Sequence, residues 1–94
     1  MFDQSMIELL QEQHQFPCTF TFKAIGRSSA GFAAQVVSAV RRELDGTEDP
    51  PHSLRQTSGG RHVAITVEPV VETATQVLAI HRAIGEIDGL VVQL

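Results

Sequence analysis

The 94-residue sequence lacks tryptophan, tyrosine and asparagine, and it has one cysteine, Cys18. A lone cysteine cannot form a disulfide within the chain, so the sequence predicts a domain stabilised by its apolar core and a cytoplasmic location, where thiols stay reduced. Metal sites in short chains use clustered cysteines or histidines. Here the four histidines are widely spaced: His14, His52, His62 and His81. We therefore expect no metal and no other cofactor.

Long apolar runs and a positive charge balance are also missing. No stretch approaches the roughly 20 apolar residues that span a bilayer, and residues 1–15 lack the basic start and apolar run of a signal peptide. The 7 Lys and Arg residues stand against 11 Asp and Glu, and a net charge of -4 provides no general attraction to nucleic acid or anionic lipid. We therefore expect neither a membrane nor a nucleic acid as a partner.

The N-terminal segment, residues 1–15, carries a helix signal. Ser5-Met6-Ile7-Glu8 has the spacing of a capping box, and apolar residues follow at helical intervals to about Gln13. Such a short helix is marginal alone, so the segment is either a docked helix or a loose tail. Phe16 precedes a proline and should leave helical geometry, so residues 16–94 are expected to form one domain.

Strand and helix patterns alternate through that domain. Period-two alternation predicts strands at Cys18 to Gly26, Ser53 to Ser58, His62 to Glu68 and Ile87 to Leu94. Helical spacing of apolar residues predicts one helix from a cap at Ser28 or Ser29 to about Leu44, and a second from Val70, after Pro69, to Gly85. The order of elements is βαββαβ after the leading helix.

Gly59 and Gly60 join two of these strands. Two glycines can supply the positive φ angles of a two-residue hairpin loop, and that loop determines the register of the hairpin. The expected cross-strand pairs are Ser58 with Arg61, Gln56 with Val63, and Leu54 with Ile65. In this register Leu54 should face the core.

The βαββαβ order predicts an α+β ferredoxin-like sandwich with sheet order 4-1-3-2 and both helices on one face. The inner face is expected to carry Phe20, Phe22, Val63, Ile65, Val67, Leu90 and Val92. The face without helices is expected to carry Thr19, Thr21, Lys23, Ile25, Arg55, His62, Ala64, Thr66, Val91 and Gln93. That open face is either a solvated surface or a dimer or ligand surface, because Ile25, Ala64 and Val91 are apolar.

Motifs for chemistry are weak. Cys18 is predicted to point into the core, and no histidine has an orienting carboxylate beside it in sequence, so no nucleophilic triad is indicated. The turn from Gly26 to Gly31 lacks the glycines and lysine of a phosphate loop, although backbone amides at the helix start could hold an anion. Base-stacking aromatics are not expected on the open face, because Phe20 and Phe22 point to the helices. An enzyme is disfavoured and a binding module is favoured.

The order and spacing of four motifs resemble the YbeD-like family of small bacterial proteins, over about Leu9 to Leu94. The motifs are Phe16-Pro17-Cys18-Thr19-Phe20-Thr21-Phe22-Lys23-Ala24-Ile25-Gly26, a helical Gln35-Val36-Val37, Ser58-Gly59-Gly60 in the hairpin, and Gly85-Glu86-Ile87-Asp88. His62 stands where the family usually has an aromatic residue. The resemblance implies a ferredoxin-like domain similar to ACT-type regulatory domains, from a family whose members have been proposed as lipoate-linked regulators.

We therefore predict a non-enzymatic regulatory module. It would bind a small metabolite or a partner enzyme through the open sheet face around Lys23, Arg55 and His62, and it could form a homodimer. The alternative is a structural protein-interaction domain with no ligand. Gly26, Gly59 and Gly60 are assigned backbone roles rather than binding roles.

Overall fold

The computed structural model describes residues 3–57 and 59–94. In chain order the elements are α1 (Gln4–Gln13), β1 (Cys18–Thr19), β2 (Phe22–Arg27), a 3-10 turn (Ser28–Ala30), α2 (Phe32–Glu43), β3 (His52–Gln56), β4 (His62–Val67), β5 (Val70–Val71), α3 (Ala74–Gly85) and β6 (Leu90–Gln93). These elements form an α+β fold with a four-stranded and a two-stranded sheet, both antiparallel.

The larger sheet has the order β3-β4-β2-β6. Counted along the chain, these are the second, third, first and fourth of its strands, which is 4-1-3-2 when read from the β6 edge. Gln56 lies opposite Val63 and Leu54 opposite Ile65, as the two-glycine loop predicts. The expected pairing of Ser58 with Arg61 lies outside the described residues.

The single first strand expected from Cys18 to Gly26 is instead divided into β1 and β2. Cys18 pairs with Val71 in the small β1-β5 sheet, whereas Phe22 pairs with Val67 in the large one. The two ladders share one register and are interrupted at Pro69, which has no N–H to donate. The Phe20 N–H still donates to the Pro69 carbonyl at 2.9 Å. Pro69 thus lies between two strands and not in the first turn of a helix.

The second long helix consequently begins at Ala74 and not at Val70. Thr73 is its N-cap, and the Thr73 hydroxyl accepts a hydrogen bond from the Gln76 N–H at 3.1 Å. The Gln76 side chain accepts in turn from the Glu72 N–H at 2.7 Å. This reciprocal pattern is a variant of the capping box, a signal present in the sequence at Thr73 and Gln76.

The other two helix starts also differ from expectation. Gly31, with φ of 64°, is the N-cap of α2, and neither Ser28 nor Ser29 caps that helix. Instead the Ser28 hydroxyl donates to the Gly60 carbonyl at 2.6 Å and so ties the β3-β4 hairpin to the end of β2. In α1 the cap is Asp3, whose carboxylate accepts from the Ser5 N–H at 2.9 Å.

A β-bulge in β6 reverses part of the predicted facing. Gly26 lies opposite Leu90 but Ile25 lies opposite Val92, so Val91 is the additional residue. Because facing alternates with every residue, one added residue moves all later side chains to the other face. Val92 therefore shares the open face with Ile25. Gln93 turns to the helices, where its Nε2 donates to the His81 carbonyl at 2.8 Å. The predictions of Val92 inward and Gln93 outward were wrong.

The core lies between the large sheet and the helices α2 and α3. Its buried side chains are Phe22, Ala24, Phe32, Val36, Val37, Val40, Val63, Ile65, Val67, Val71, Val77, Ile80 and Ile84. The helix α1 contacts α3, and its Leu10 packs against this cluster. Leu54 lies opposite buried Ile65 but is 56% exposed, because all of the edge strand β3 is exposed. Leu54 thus faces the helix side, as its register predicts, but the helices do not bury it.

Candidate functional site

The open face of the large sheet is organised in cross-strand rows. In the first row Arg55, Ala64, Ile25 and Val92 follow one another across β3, β4, β2 and β6. In the second row Ser53 lies opposite Thr66 and Thr66 opposite Lys23, while the Leu94 N–H donates to the Lys23 carbonyl at 3.0 Å. A third, shorter row pairs Arg27 with His62.

The first two rows enclose a shallow groove of about 380 Å³, with Lys23, Ile25, Ser53, Arg55, Ala64, Thr66 and Leu94 among its lining residues. Lys23 and Arg55 stand at opposite corners, two strands and two residues apart, which corresponds to about 12 Å between their Cα atoms. Both side chains are long enough to reach a ligand placed between them. The floor between them is formed by small or apolar side chains, of which Ala64 is central.

Positive charge is concentrated on this face. Among its ten row positions are three of the seven Lys and Arg residues, namely Lys23, Arg27 and Arg55, and none of the eleven Asp and Glu residues. Lys23 is the only lysine in the chain. Glu68 lies beyond the second row and accepts a hydrogen bond from the Thr21 hydroxyl at 3.3 Å. The face is thus cationic in a protein of net charge -4.

The cationic groups of the groove have no counter-ion within the described parts of the chain. The ion pair found there joins Arg41 to Asp49 at 2.6 Å and involves no residue of the groove. Two cations beside an apolar floor suit a ligand that has both a negative group and an apolar body. Such a ligand would gain charge-assisted hydrogen bonds at its anionic end and apolar burial along its body.

His62 does not join Lys23 and Arg55 in the groove. It lies one row further along β4 and lines a separate depression, together with Arg27 and Arg61. The groove instead contains Leu94, whose facing follows from the bulge in β6 and cannot be read from strict alternation alone. The structure therefore brings together two of the three predicted binding residues.

The three glycines that were assigned backbone roles are required for two different physical reasons. Gly59 and Gly60 have φ angles of 90° and 71°, in the left-handed region that favours glycine. Gly26 has an ordinary φ, but a Cβ atom placed on it would lie 2.3 Å from Cγ of Phe32. At Gly26 the requirement is therefore close packing against a buried ring.

No group of three or more potential metal-binding side chains occurs in residues 3–57 and 59–94. Over the same residues, none of the helices combines the length and apolar character needed to cross a membrane. The Asp3 carboxylate accepts from the Ser5 hydroxyl at 2.7 Å and from the Ser5 N–H, and these bonds lower the pKa of Asp3. Asp3 is exposed at the start of α1, remote in sequence from the groove residues.

The fold and the groove define a small α+β domain with an open, cationic sheet face. The chain belongs to the family described as "Protein of unknown function (DUF493)", whose model matches residues 11–94. This membership confirms the YbeD-like resemblance of the sequence.

Similar proteins are found in several bacteria. A UPF0250 protein of Shewanella sediminis is 30% identical over 90 residues, which cover 96% of each chain. A UPF0250 protein of Pasteurella multocida is 30% identical over 81 residues, covering 86% of this chain and 90% of that one. The solution structure of protein HP0495 from H. pylori matches with a TM-score of 0.67 and 14% identity, over 86% of this chain and 85% of that one. That similarity shows the shared fold.

Proposed function

We propose that this protein is a non-enzymatic, ACT-like regulatory module with a ferredoxin-like fold, which binds a small anionic metabolite in the groove between Lys23 and Arg55. The observation that supports this proposal is the combination of two cationic side chains without counter-ions and an apolar floor in one concave surface. A carboxylate with a short apolar body fits that combination. A partner enzyme would then respond to the ligand-bound form of this protein.

The position of the one nucleophilic thiol agrees with a non-enzymatic role. Cys18 is half-buried and packs against the core cluster, away from the groove residues. Lys23 and Arg55 are suited to holding an anion, because an ammonium and a guanidinium group both donate charge-assisted hydrogen bonds to one. Neither side chain has a described hydrogen-bond partner that would activate it as a base or nucleophile.

A thermal-shift screen tests this proposal. The probes are amino acids, lipoate and other short carboxylates. They are applied to the wild type, to the double variant Lys23→Gln with Arg55→Gln, and to Arg82→Gln as a control that removes a positive charge on α3, outside the groove. A ligand at about 100 times its Kd should stabilise the wild type by about 2.7 kcal/mol, a shift of several degrees. The shift should disappear in the double variant and remain in Arg82→Gln.

Two results would contradict the proposal. An equal shift in the double variant would show that the ligand binds elsewhere on the protein. If no compound of the panel shifts the Tm of the wild type, the metabolite-binding proposal is contradicted and the interaction-domain alternative is left.

That alternative, a structural interaction domain without a ligand, has one observation in its favour. The strand β6 is at the sheet edge, and two apolar side chains near it, Val91 and Leu94, are 55% and 71% exposed. An exposed edge can pair with a strand of another chain, including a second copy. Light scattering at increasing protein concentration tests the homodimer. A dimer that Val91→Lys dissociates, together with no thermal shift from any ligand, would favour this alternative, and a monomer at high concentration would count against it.

A further inference from the structure

The depression that contains His62 has no role in the proposed groove. It has a volume of about 410 Å³ and is lined by Arg27, Ser28, Ser29, Gly60, Arg61 and His62. We propose that this depression binds the phosphate group of a small phosphorylated compound, at a second site that is independent of Lys23 and Arg55.

The backbone beneath these cations is fixed by hydrogen bonds between neighbouring segments. The Ser28 N–H donates to the Arg61 carbonyl at 3.1 Å, and the Ser28 hydroxyl donates to the Gly60 carbonyl at 2.6 Å. On the hairpin side, the Thr57 N–H donates to the His62 carbonyl at 3.0 Å. The Cα positions of the cationic residues are therefore set before a ligand arrives, which reduces the ordering cost of binding.

The charges in the depression are all of one sign. Arg27 lies directly opposite His62, and Arg61 precedes His62 in the chain. The two guanidinium groups of Arg27 and Arg61 repel each other unless an anion lies between them. In the described residues neither arginine has an ion-pair partner. The Arg27 N–H donates to the Gly89 carbonyl at 2.9 Å, and the preceding residue, Asp88, lines a different depression with Arg42 and Glu86.

The number of donors favours a phosphate over a carboxylate. One guanidinium satisfies a carboxylate through two parallel hydrogen bonds. Here two guanidinium groups, an imidazole and the exposed Ser29 hydroxyl surround one depression. A phosphate monoester has three terminal oxygens and a charge near -2 at neutral pH, so it can use all of these donors together.

The position along β2 separates this site from the groove. Arg27 is four residues beyond Lys23, which corresponds to about 13 Å along a strand. The depression and the groove also share no lining residue. If the variants at Lys23 and Arg55 disprove carboxylate binding in the groove, the proposal for the phosphate site is therefore unaffected. The reverse also holds.

Backbone amide NMR of the ¹⁵N-labelled 94-residue chain tests the proposal at constant ionic strength. The probes are glycerol 3-phosphate, glycerol and inorganic phosphate, and the two phosphate probes distinguish an ester from the free ion. We expect glycerol 3-phosphate to give saturable shifts at Ser28, Ser29, Arg61 and His62, and glycerol to give none. Tighter binding of glycerol 3-phosphate than of inorganic phosphate would identify the ester as the ligand class.

Variants of exposed side chains make the test specific. Arg27→Gln with Arg61→Gln should weaken glycerol 3-phosphate binding at least tenfold, while Arg82→Gln should leave it within twofold of the wild type. The amide spectra also report whether each variant remains folded. Equal weakening in Arg82→Gln, or no saturable shift in the wild type, would overturn the proposal. Binding of a single-stranded oligonucleotide without binding of either phosphate probe would overturn it as well.

Discussion

Gly26→Ala is the most direct test of how this fold is packed. A Cβ atom at position 26 would lie 2.3 to 2.5 Å from three ring atoms of Phe32, which is 0% exposed. The buried ring cannot move aside without displacing its neighbours, so the cost should reach the upper end of the overpacking range, about 3 kcal/mol. For a domain of this size that corresponds to a Tm lowered by roughly 12 °C or more. Chemical denaturation of both proteins measures the difference.

Two companion variants separate the ring contact from a general effect of alanine. Gly46→Ala meets only backbone oxygens at 4.0 Å, so its free energy of unfolding should stay near the wild-type value or rise slightly. Phe32→Leu vacates space for the added methyl group. Gly26→Ala with Phe32→Leu should therefore be less destabilised than the sum of the single variants by about 1 kcal/mol. Strict additivity, or a Gly26→Ala protein as stable as the wild type, would refute the packing argument.

Two further predictions concern the hairpin and the first helix. Gly60→Ala forces a Cβ into a backbone with φ of 71° and should lower the free energy of unfolding by about 1 to 2 kcal/mol, measured in urea; an unchanged midpoint would contradict the turn geometry. The Ser5 bonds lower the pKa of Asp3, so the stability that Asp3 gives α1 should be present above its unfolded pKa and be lost as pH falls through its folded pKa. Ser5→Ala should raise the pKa of Asp3 in an NMR titration, and an unmoved pKa would refute this assignment.

The sequence pattern predicted the helices and the sheet pairing where local and tertiary signals agree. Alternation at Val63, Ile65 and Val67, with a two-glycine loop before it, was sufficient to give the register of β3 against β4. The start of α3 was mispredicted because a proline is compatible with both a first helical turn and a break between strands. Thr73 and Gln76 indicate the correct start of α3, because together they satisfy the backbone donors at that helix start.

The candidate groove was predicted only in part, for a different physical reason. Lys23 and Arg55 follow from strict alternation on β2 and β3, and the structure places both in the groove. The facing of Val92 depends on the bulge at Val91, which arises from pairing with β2 and leaves no mark in the local pattern. Likewise, Leu54 has the correct register, but its exposure depends on how far the helices extend over the sheet edge.

The central claim is that the open face around Lys23 and Arg55 binds a small anion. The most direct measurement is a ¹⁵N NMR titration of the wild type with the short carboxylate that gives the largest thermal shift. The proposal predicts saturable shifts centred on Lys23, Ile25, Arg55 and Ala64, absent in Lys23→Gln with Arg55→Gln and retained in Arg82→Gln. Shifts centred on any other surface, or undiminished in the double variant, would contradict it.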